Sequence, residues 1–233
     1  MEMDAIVLAG GKGTRLQAVI RDVPKPMADI NGKPFLHYLL SHLCRSGIRR
    51  VILAVGYKHE IISNFFGSSF QGCELHYCVE DRPLGTGGAI RLALDLVASK
   101  QVLILNGDTL FNVDIQAMMQ RHCEKGADLT LALKPMTDFE RYGTVLECDG
   151  RVTGFVEKKY CASGLINAGI YVMRKDLLLS WPAGTGFSFE GDFLEKKAAE
   201  LSFQAFVADN YFIDIGVPED YLKACKDFER MLD

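Results

Sequence analysis

Short apolar runs alternate with helical stripes through the first half of the chain, and this alternation constrains the fold more than any other feature. Residues 5–9, 51–55, 75–79 and 101–105 are largely apolar runs, each the length of one strand. Residues 35–45, 60–66, 89–97 and 114–124 instead repeat apolar side chains at helical spacing, for example Phe35, Leu36, Leu39, Leu40 and Leu43. Strands that are apolar on both sides need cover on both sides, so the pattern predicts a Rossmann-like three-layer α/β sandwich around a mainly parallel sheet. Asn31-Gly32 marks a tight turn within the first long connection, and Asp114 reads as a helix N-cap.

The second half reads differently. Residues 130–133, 143–147, 152–157 and 168–172 are strands with shorter connections, and Asp149-Gly150 marks a hairpin turn. A smaller mixed-sheet lobe is the expectation. Residues 217–232 close the chain as a helix, with Pro218 in its first turn and Tyr221, Cys225, Phe228 and Leu232 on one stripe. No linker, repeat or low-complexity tract interrupts the sequence. We therefore expect one domain over 1–233, with a main part at about 1–130 and 203–233 and a lobe at about 131–202.

Composition excludes several classes. The chain has 233 residues, 48% hydrophobic and 24% charged, enough to bury a large core and too apolar for disorder. No apolar run approaches the ~20 residues that span a bilayer, and no signal peptide is visible around Glu2 and Asp4, so a cytoplasmic, membrane-free protein is expected. Seven cysteines without a C-x-x-C pair read as free thiols in a reducing compartment. Phe65, Phe66 and Phe70 read as the buried face of a helix, and a homo-oligomer is left open. The net charge of −4 argues against nucleic acid as a partner. The first fifty residues nevertheless carry eight cations (Lys12, Arg15, Arg21, Lys25, Lys33, Arg45, Arg49, Arg50) against four acids (Glu2, Asp4, Asp22, Asp29). That local excess suits one small polyanion.

The first strand runs into LAGGKGTRL, residues 8–16, where three glycines fall in four positions beside Lys12 and Arg15. A dinucleotide loop would need a third glycine where Leu16 stands, and a Walker loop would need a serine or threonine where Gly13 stands. Exposed backbone N–H groups and fixed cations, with Lys25 ten residues on, instead suit a triphosphate.

LAGGKGTRL followed by PKPM closely resembles the signature of the sugar-1-phosphate nucleotidyltransferases. PLGTGGAI (83–90), LNGDT (105–109), the Glu157-Lys158 pair, NAGIY (167–171) and DIGVPEDY (214–221) follow in the family's order. The resemblance implies transfer of a nucleoside monophosphate from an NTP to a sugar 1-phosphate, with pyrophosphate released. The sugar phosphate oxygen attacks the α-phosphorus directly, so catalysis is alignment and charge neutralisation. By resemblance, Arg15 grips the leaving pyrophosphate and Lys25 the α-phosphate and acceptor phosphate. The nucleotide contacts fall to Leu8, Ala9, Gly10, Gly11, Gly13, Thr14, Glu80, Pro83, Gly85, Thr86, Asn106 and Gly107. Asp108 and Asp214 are paired only by the family, as Mg²⁺ ligands. Tyr142, Gly143, Glu157, Lys158, Asn167, Ala168 and Gly169 resemble the family's sugar-binding positions.

Glu80 is the informative departure. Members that use dTTP or UTP commonly carry glutamine four residues before the leucine of L-G-T, and an amide matches a pyrimidine imide edge. A carboxylate only accepts, and guanine offers N1–H and N2–H₂ side by side. GTP is therefore the expected donor, the plain alternative being a solvated acid beside Arg82. KPMADINGKPFLHY, DFERYGTV and FIDIGVPEDY resemble, more narrowly, the D-glycero-α-D-manno-heptose 1-phosphate guanylyltransferases of bacterial surface-polysaccharide pathways. The rivals are mannose-1-phosphate guanylyltransferase and glucose-1-phosphate thymidylyl- or uridylyltransferase. A non-catalytic sugar-nucleotide-binding regulatory subunit would have lost one of Arg15, Lys25, Asp108 or Asp214, and all four are present.

Overall fold

The computed structural model describes residues 3–11, 13, 16, 20 and 22–232, the last three by their backbone alone. The chain opens with β1 (Asp4–Leu8), the small hairpin β2 (Asp29–Ile30) and β3 (Lys33–Pro34), and α1 (Phe35–Arg45). Next come β4 (Arg50–Val55), α2 (His59–Phe66), β5 (Ser69–Phe70), β6 (Cys73–Val79), α3 (Gly85–Ala93), β7 (Gln101–Asn106), β8 (Thr109–Phe111) and α4 (Ile115–Glu124). The second half holds β9 (Leu129–Phe139), β10 (Thr144–Cys148), β11 (Arg151–Val156) and β12 (Cys161–Arg174). A π-helical turn over Phe189–Leu194 then leads into α5 (Glu195–Lys197), followed by β13 (Phe203–Val207), β14 (Phe212–Asp214) and α6 (Pro218–Leu232).

Ten of these strands form one sheet, ordered β10-β11-β13-β9-β12-β7-β1-β4-β6-β5. Its β7-β1-β4-β6 half is parallel, and β12 joins β7 antiparallel. The apolar runs explain the layers. Along β1, Ala5 and Val7 pack with Leu36, Leu39 and Leu40 of α1 and Met118 of α4, whereas Ile6 between them packs with Ile90 of α3, Phe189 and Phe193. Val102 and Ile104 of β7 face that second layer, and Leu103 and Leu105 the first. Each fully buried Leu or Ile stabilises the sandwich by about 2 kcal/mol before entropy is counted.

The expected mixed strands are longer than their apolar runs suggest. The eleven-residue β9 and fourteen-residue β12 pair from Cys161↔Phe139 to Met173↔Leu129, with an irregularity between Asn167 and Tyr171. Main-chain pairing carries polar residues such as Lys134 and Ser163 that apolar pattern alone would exclude. Both hairpin turns have the left-handed backbone their sequences favour, Asn31 and Gly32 at φ 54° and 83°, Asp149 and Gly150 at 52° and 79°. Asp114 caps α4, accepting from the Ala117 N–H at 2.9 Å.

Two expectations are corrected. Cys44, near the end of α1, and Cys73, at the start of β6, are joined as a disulfide with their Cα atoms 6.2 Å apart. Their sequence separation of 29 gave no hint of that meeting, while Cys78, Cys148, Cys161 and Cys225 remain thiols. Phe66 is buried in the core and Phe70 packs against it, but Phe65 is 56% exposed. None of the described helices is long and apolar enough to cross a membrane.

One buried polar triad ties α4 to the sheet. His122, 1% exposed, lies 2.9 Å (Nδ1) from the Thr130 hydroxyl and 3.0 Å (Nε2) from Gln101 Oε1. The Gln101 oxygen can only accept, so Nε2 carries the proton and Thr130 donates to Nδ1. Burial lowers the imidazole from its usual 6.5 to about 4. Between those values the unfolded chain binds a proton that the folded chain refuses. Stability therefore falls as pH drops from 6.5 towards 4, by at most about 3 kcal/mol. His122→Gln should flatten this part of a melting-temperature-against-pH curve, and an unchanged slope would assign the acid sensitivity elsewhere.

Candidate active site

The carboxyl ends of the parallel strands open into a cleft of about 930 Å³. Main-chain bonding continues just past the strand ends. The Ala9 N–H donates to Ala54 O (2.8 Å), Gly107 N–H to Leu8 O (2.9 Å) and Glu80 N–H to Val55 O (2.8 Å). These bonds bring the turns after β1, β4, β6 and β7 to one rim, where ligands collect in open α/β sheets. Leu8, Gly10, Gly11, Gly13, Lys25, Glu80, Pro83, Gly85, Thr86, Asn106, Asp108 and Asp214 all line the cleft. Ala9 and Gly107 sit behind it. A Cβ on Gly107 would lie 2.4 Å from Leu8 O, so only glycine permits that crossing. Arg15 and Thr14, with Lys12, lie outside the described residues.

Lys25 begins a short 3₁₀ turn after Pro24, and its side chain is only 13% exposed. Its ammonium donates to Asp108 Oδ2 at 2.5 Å and lies 3.7 Å from Asp214 Oδ1. Asp108 follows β7 and Asp214 ends β14, which pairs with β8 through Asp214↔Thr109. That two-stranded pairing closes a separation no spacing rule could read. Burial and then the Asp108 charge push the Asp214 carboxyl above its usual value, against the pull of Lys25. The pair offers hard oxygen donors and is short of positive charge. Both features fit Mg²⁺, which completes its shell with phosphate oxygens and water. No cluster of three or more ligating side chains occurs among the described residues.

Glu80 is half-buried. It does not pair with Arg82, which instead donates to Gly184 O (3.2 Å). One Glu80 oxygen accepts from the Leu84 N–H at 2.8 Å, closing the turn that leads into α3. The other would lie 2.6 Å from a Cβ on Gly10, so a side chain at position 10 would displace the Glu80 carboxylate as well as crowd Gly56 N at 3.2 Å. Burial raises the carboxyl, and the Leu84 N–H partly offsets that.

The glycines after Gly85 do different work. A Cβ on Gly87 would meet the Phe187 ring at 2.1 Å, and one on Gly88 would meet Thr185 O at 2.5 Å. These two let α3 lie against the segment before the π-turn. Thr86 faces the cleft and donates to Glu190 Oε2 at 2.7 Å.

The sugar-lobe positions stand beyond the cleft's lining. Tyr142 sets its ring edge-on to Phe212, 6.0 Å away, and burial and then Asp214 keep its hydroxyl protonated. Gly143 passes close to Val156 O. Glu157 and Lys158 are exposed just after β11. Asn167 donates to the Tyr171 hydroxyl (2.9 Å) and accepts from the Gly169 N–H (3.1 Å), beside the buried Ala168. Gly169, at φ 71°, packs against the Asn106 side chain and so touches the rim of the cleft. Sequence reading missed Gly56 and Tyr57 at the end of β4, Asp81, Gly216 and Glu190. The carboxyl-end rule would have found the first two.

Residues 4–231 match the nucleotidyl transferase family. The D-glycero-α-D-manno-heptose 1-phosphate guanylyltransferase of Aneurinibacillus thermoaerophilus is 50% identical over 230 residues, 99% of this chain and 100% of that one. The Campylobacter jejuni protein of the same name is 46% identical, across 94% and 97%. The crystal structure of HddC from Yersinia pseudotuberculosis complexed with GMP-PN superposes with a TM-score of 0.86 at 39% identity, covering 97% of this chain and 99% of the other.

Asp214→Asn offers a clean separation of roles. It keeps the oxygen that accepts from the Gly216 N–H (2.8 Å) and removes a charge that burial opposes. We expect most nucleotidyl transfer to be lost while the melting temperature rises by about 2–4 °C, equivalent to roughly 1 kcal/mol. Full activity at fixed Mg²⁺, in this variant or in Asp108→Asn, would remove that residue from the site.

Proposed function

The chain belongs to the nucleotidyl transferase family, and on that footing we propose that it transfers GMP from GTP to D-glycero-α-D-manno-heptose 1-phosphate, releasing pyrophosphate. Near-full-length identity to two guanylyltransferases of that name supports the acceptor. The observation that carries the donor is Glu80, a carboxylate on the cleft wall with one oxygen beside Gly10 and the other on the Leu84 N–H. Each oxygen has a second lone pair, so both can accept from guanine N1–H and N2–H₂ without releasing the turn. Thymine and uracil would set a carbonyl oxygen against it.

The chemistry then needs little of the protein beyond position and charge. An ionised oxygen of the acceptor phosphate attacks the α-phosphorus, and no side chain has to take a proton. Lys25 neutralises the α-phosphate and the approaching acceptor phosphate at the place where Asp108 and Asp214 converge. Mg²⁺, held by those two carboxylates, would add Lewis-acid neutralisation of the phosphate oxygens. Arg15 is assigned the departing pyrophosphate by its guanidinium fork. Backbone N–H groups of Gly10, Gly11 and Gly13 suit the phosphate chain. The acceptor is assigned to Tyr142, Gly143, Glu157, Lys158 and 167–169, within a lobe of about 131–202. We further assign the reaction to the cytoplasm and its product to capsule or lipopolysaccharide synthesis.

Pyrophosphate release with GTP, dTTP, UTP and CTP, each against heptose, mannose and glucose 1-phosphates, tests donor and acceptor together. GTP should exceed dTTP and UTP in kcat/KM by at least about a hundredfold. Glu80→Gln keeps an acceptor for the Leu84 N–H and should close that gap, chiefly by losing GTP. Equal turnover of GTP and dTTP by the unaltered enzyme would sink the donor assignment, and a preference for mannose 1-phosphate would sink the acceptor.

A further inference from the structure

Arg141 stands in the turn between β9 and β10, within DFERYGTV (138–145) but with no role assigned to it above. Its guanidinium pairs with Asp220 in the first turn of α6 and lies 5.5 Å from the centre of the Tyr142 ring. Tyr142 rests on Phe212, two residues before Asp214 in β14. The turn therefore reaches from the antiparallel half of the sheet to the strand that carries Asp214.

The acceptor phosphate must come to this place with two negative charges, next to two carboxylates. Lys25 is nearly enclosed and already serves both of them. Arg141 keeps 39% of its side chain exposed, and its partner Asp220 25%. A pair so open to water adds little to folding. A phosphate dianion is a stronger, planar-fork partner for guanidinium than one carboxylate oxygen. Resting on the function proposed above, we propose that Asp220 holds Arg141 in reserve, and that Arg141 turns to grip the phosphate of the incoming sugar 1-phosphate.

The test is two-substrate kinetics on Arg141→Ala, Arg141→Lys and Asp220→Asn with melting temperatures in parallel. Arg141→Ala should raise KM for the sugar 1-phosphate about tenfold or more while KM for GTP changes less than about twofold, with Arg141→Lys recovering part. Asp220→Asn should leave the acceptor KM unchanged or lower it, because it frees the guanidinium. If Arg141 were only a clasp, Arg141→Ala and Asp220→Asn would lower the melting temperature and raise both KM values alike. That result, or an unchanged acceptor KM in Arg141→Ala, overturns the inference. Wild-type enzyme inactive with every sugar 1-phosphate would defeat the function itself and this inference with it. Activity with another donor or sugar defeats only the assignment of that substrate, and the variants are then compared on the active pair.

Discussion

Everything in the cleft depends on main-chain bonding that persists just beyond the parallel strands. The bonds from Ala9, Gly107 and Glu80 to the neighbouring strand ends hold four turns level with one another. Each strand end then contributes to the rim: the glycines after β1, Gly56 and Tyr57 after β4, Glu80 after β6, and Asn106 at the end of β7 with Asp108 beyond it. The helices bury the two faces of the sheet, but the rim is set by peptide groups. This arrangement leaves no room for a side chain at Gly107, where a Cβ would meet the Leu8 carbonyl.

Much of this rim was legible because glycine and buried strands leave strong traces in a sequence. The runs that became β1, β4 and β7 are apolar on both faces, which a covered parallel sheet explains. What stayed hidden depended on tertiary pairing. Nothing in the spacing joins Asp108 to Asp214, since their meeting depends on β8 and β14, two three-residue strands too short for any periodicity. The Cys44–Cys73 bond was hidden for the same reason, as was Glu190, which reaches Thr86 across 104 positions. The lobe was legible only in outline, because half-polar β9 and β12 gain their length from main-chain pairing.

Charge is distributed with a consistent logic. Three of the carboxylates at the rim have named partners: Asp108 and Asp214 meet Lys25, and one Glu80 oxygen meets a backbone N–H. The electrostatic cost is concentrated at Asp214, whose carboxyl is buried beside a like charge. Such a group weakens the empty fold and favours a bound cation, a common arrangement at sites that act by charge neutralisation. The remote His122 is burial of the opposite kind, a base kept neutral by a closed set of partners.

The close passage of Glu80 by Gly10 has a consequence for redesign. A carboxylate oxygen occupies the space a side chain at position 10 would need, so the two positions behave as one unit. An amide of the same shape fits at 80 with Gly10 untouched. A shorter residue at 80 would open a void against the loop and release the Leu84 turn. A bulkier one would press on the loop after β1. On the donor assignment proposed above, a change of base is therefore a problem of isosteres at one position, not of free choice at two.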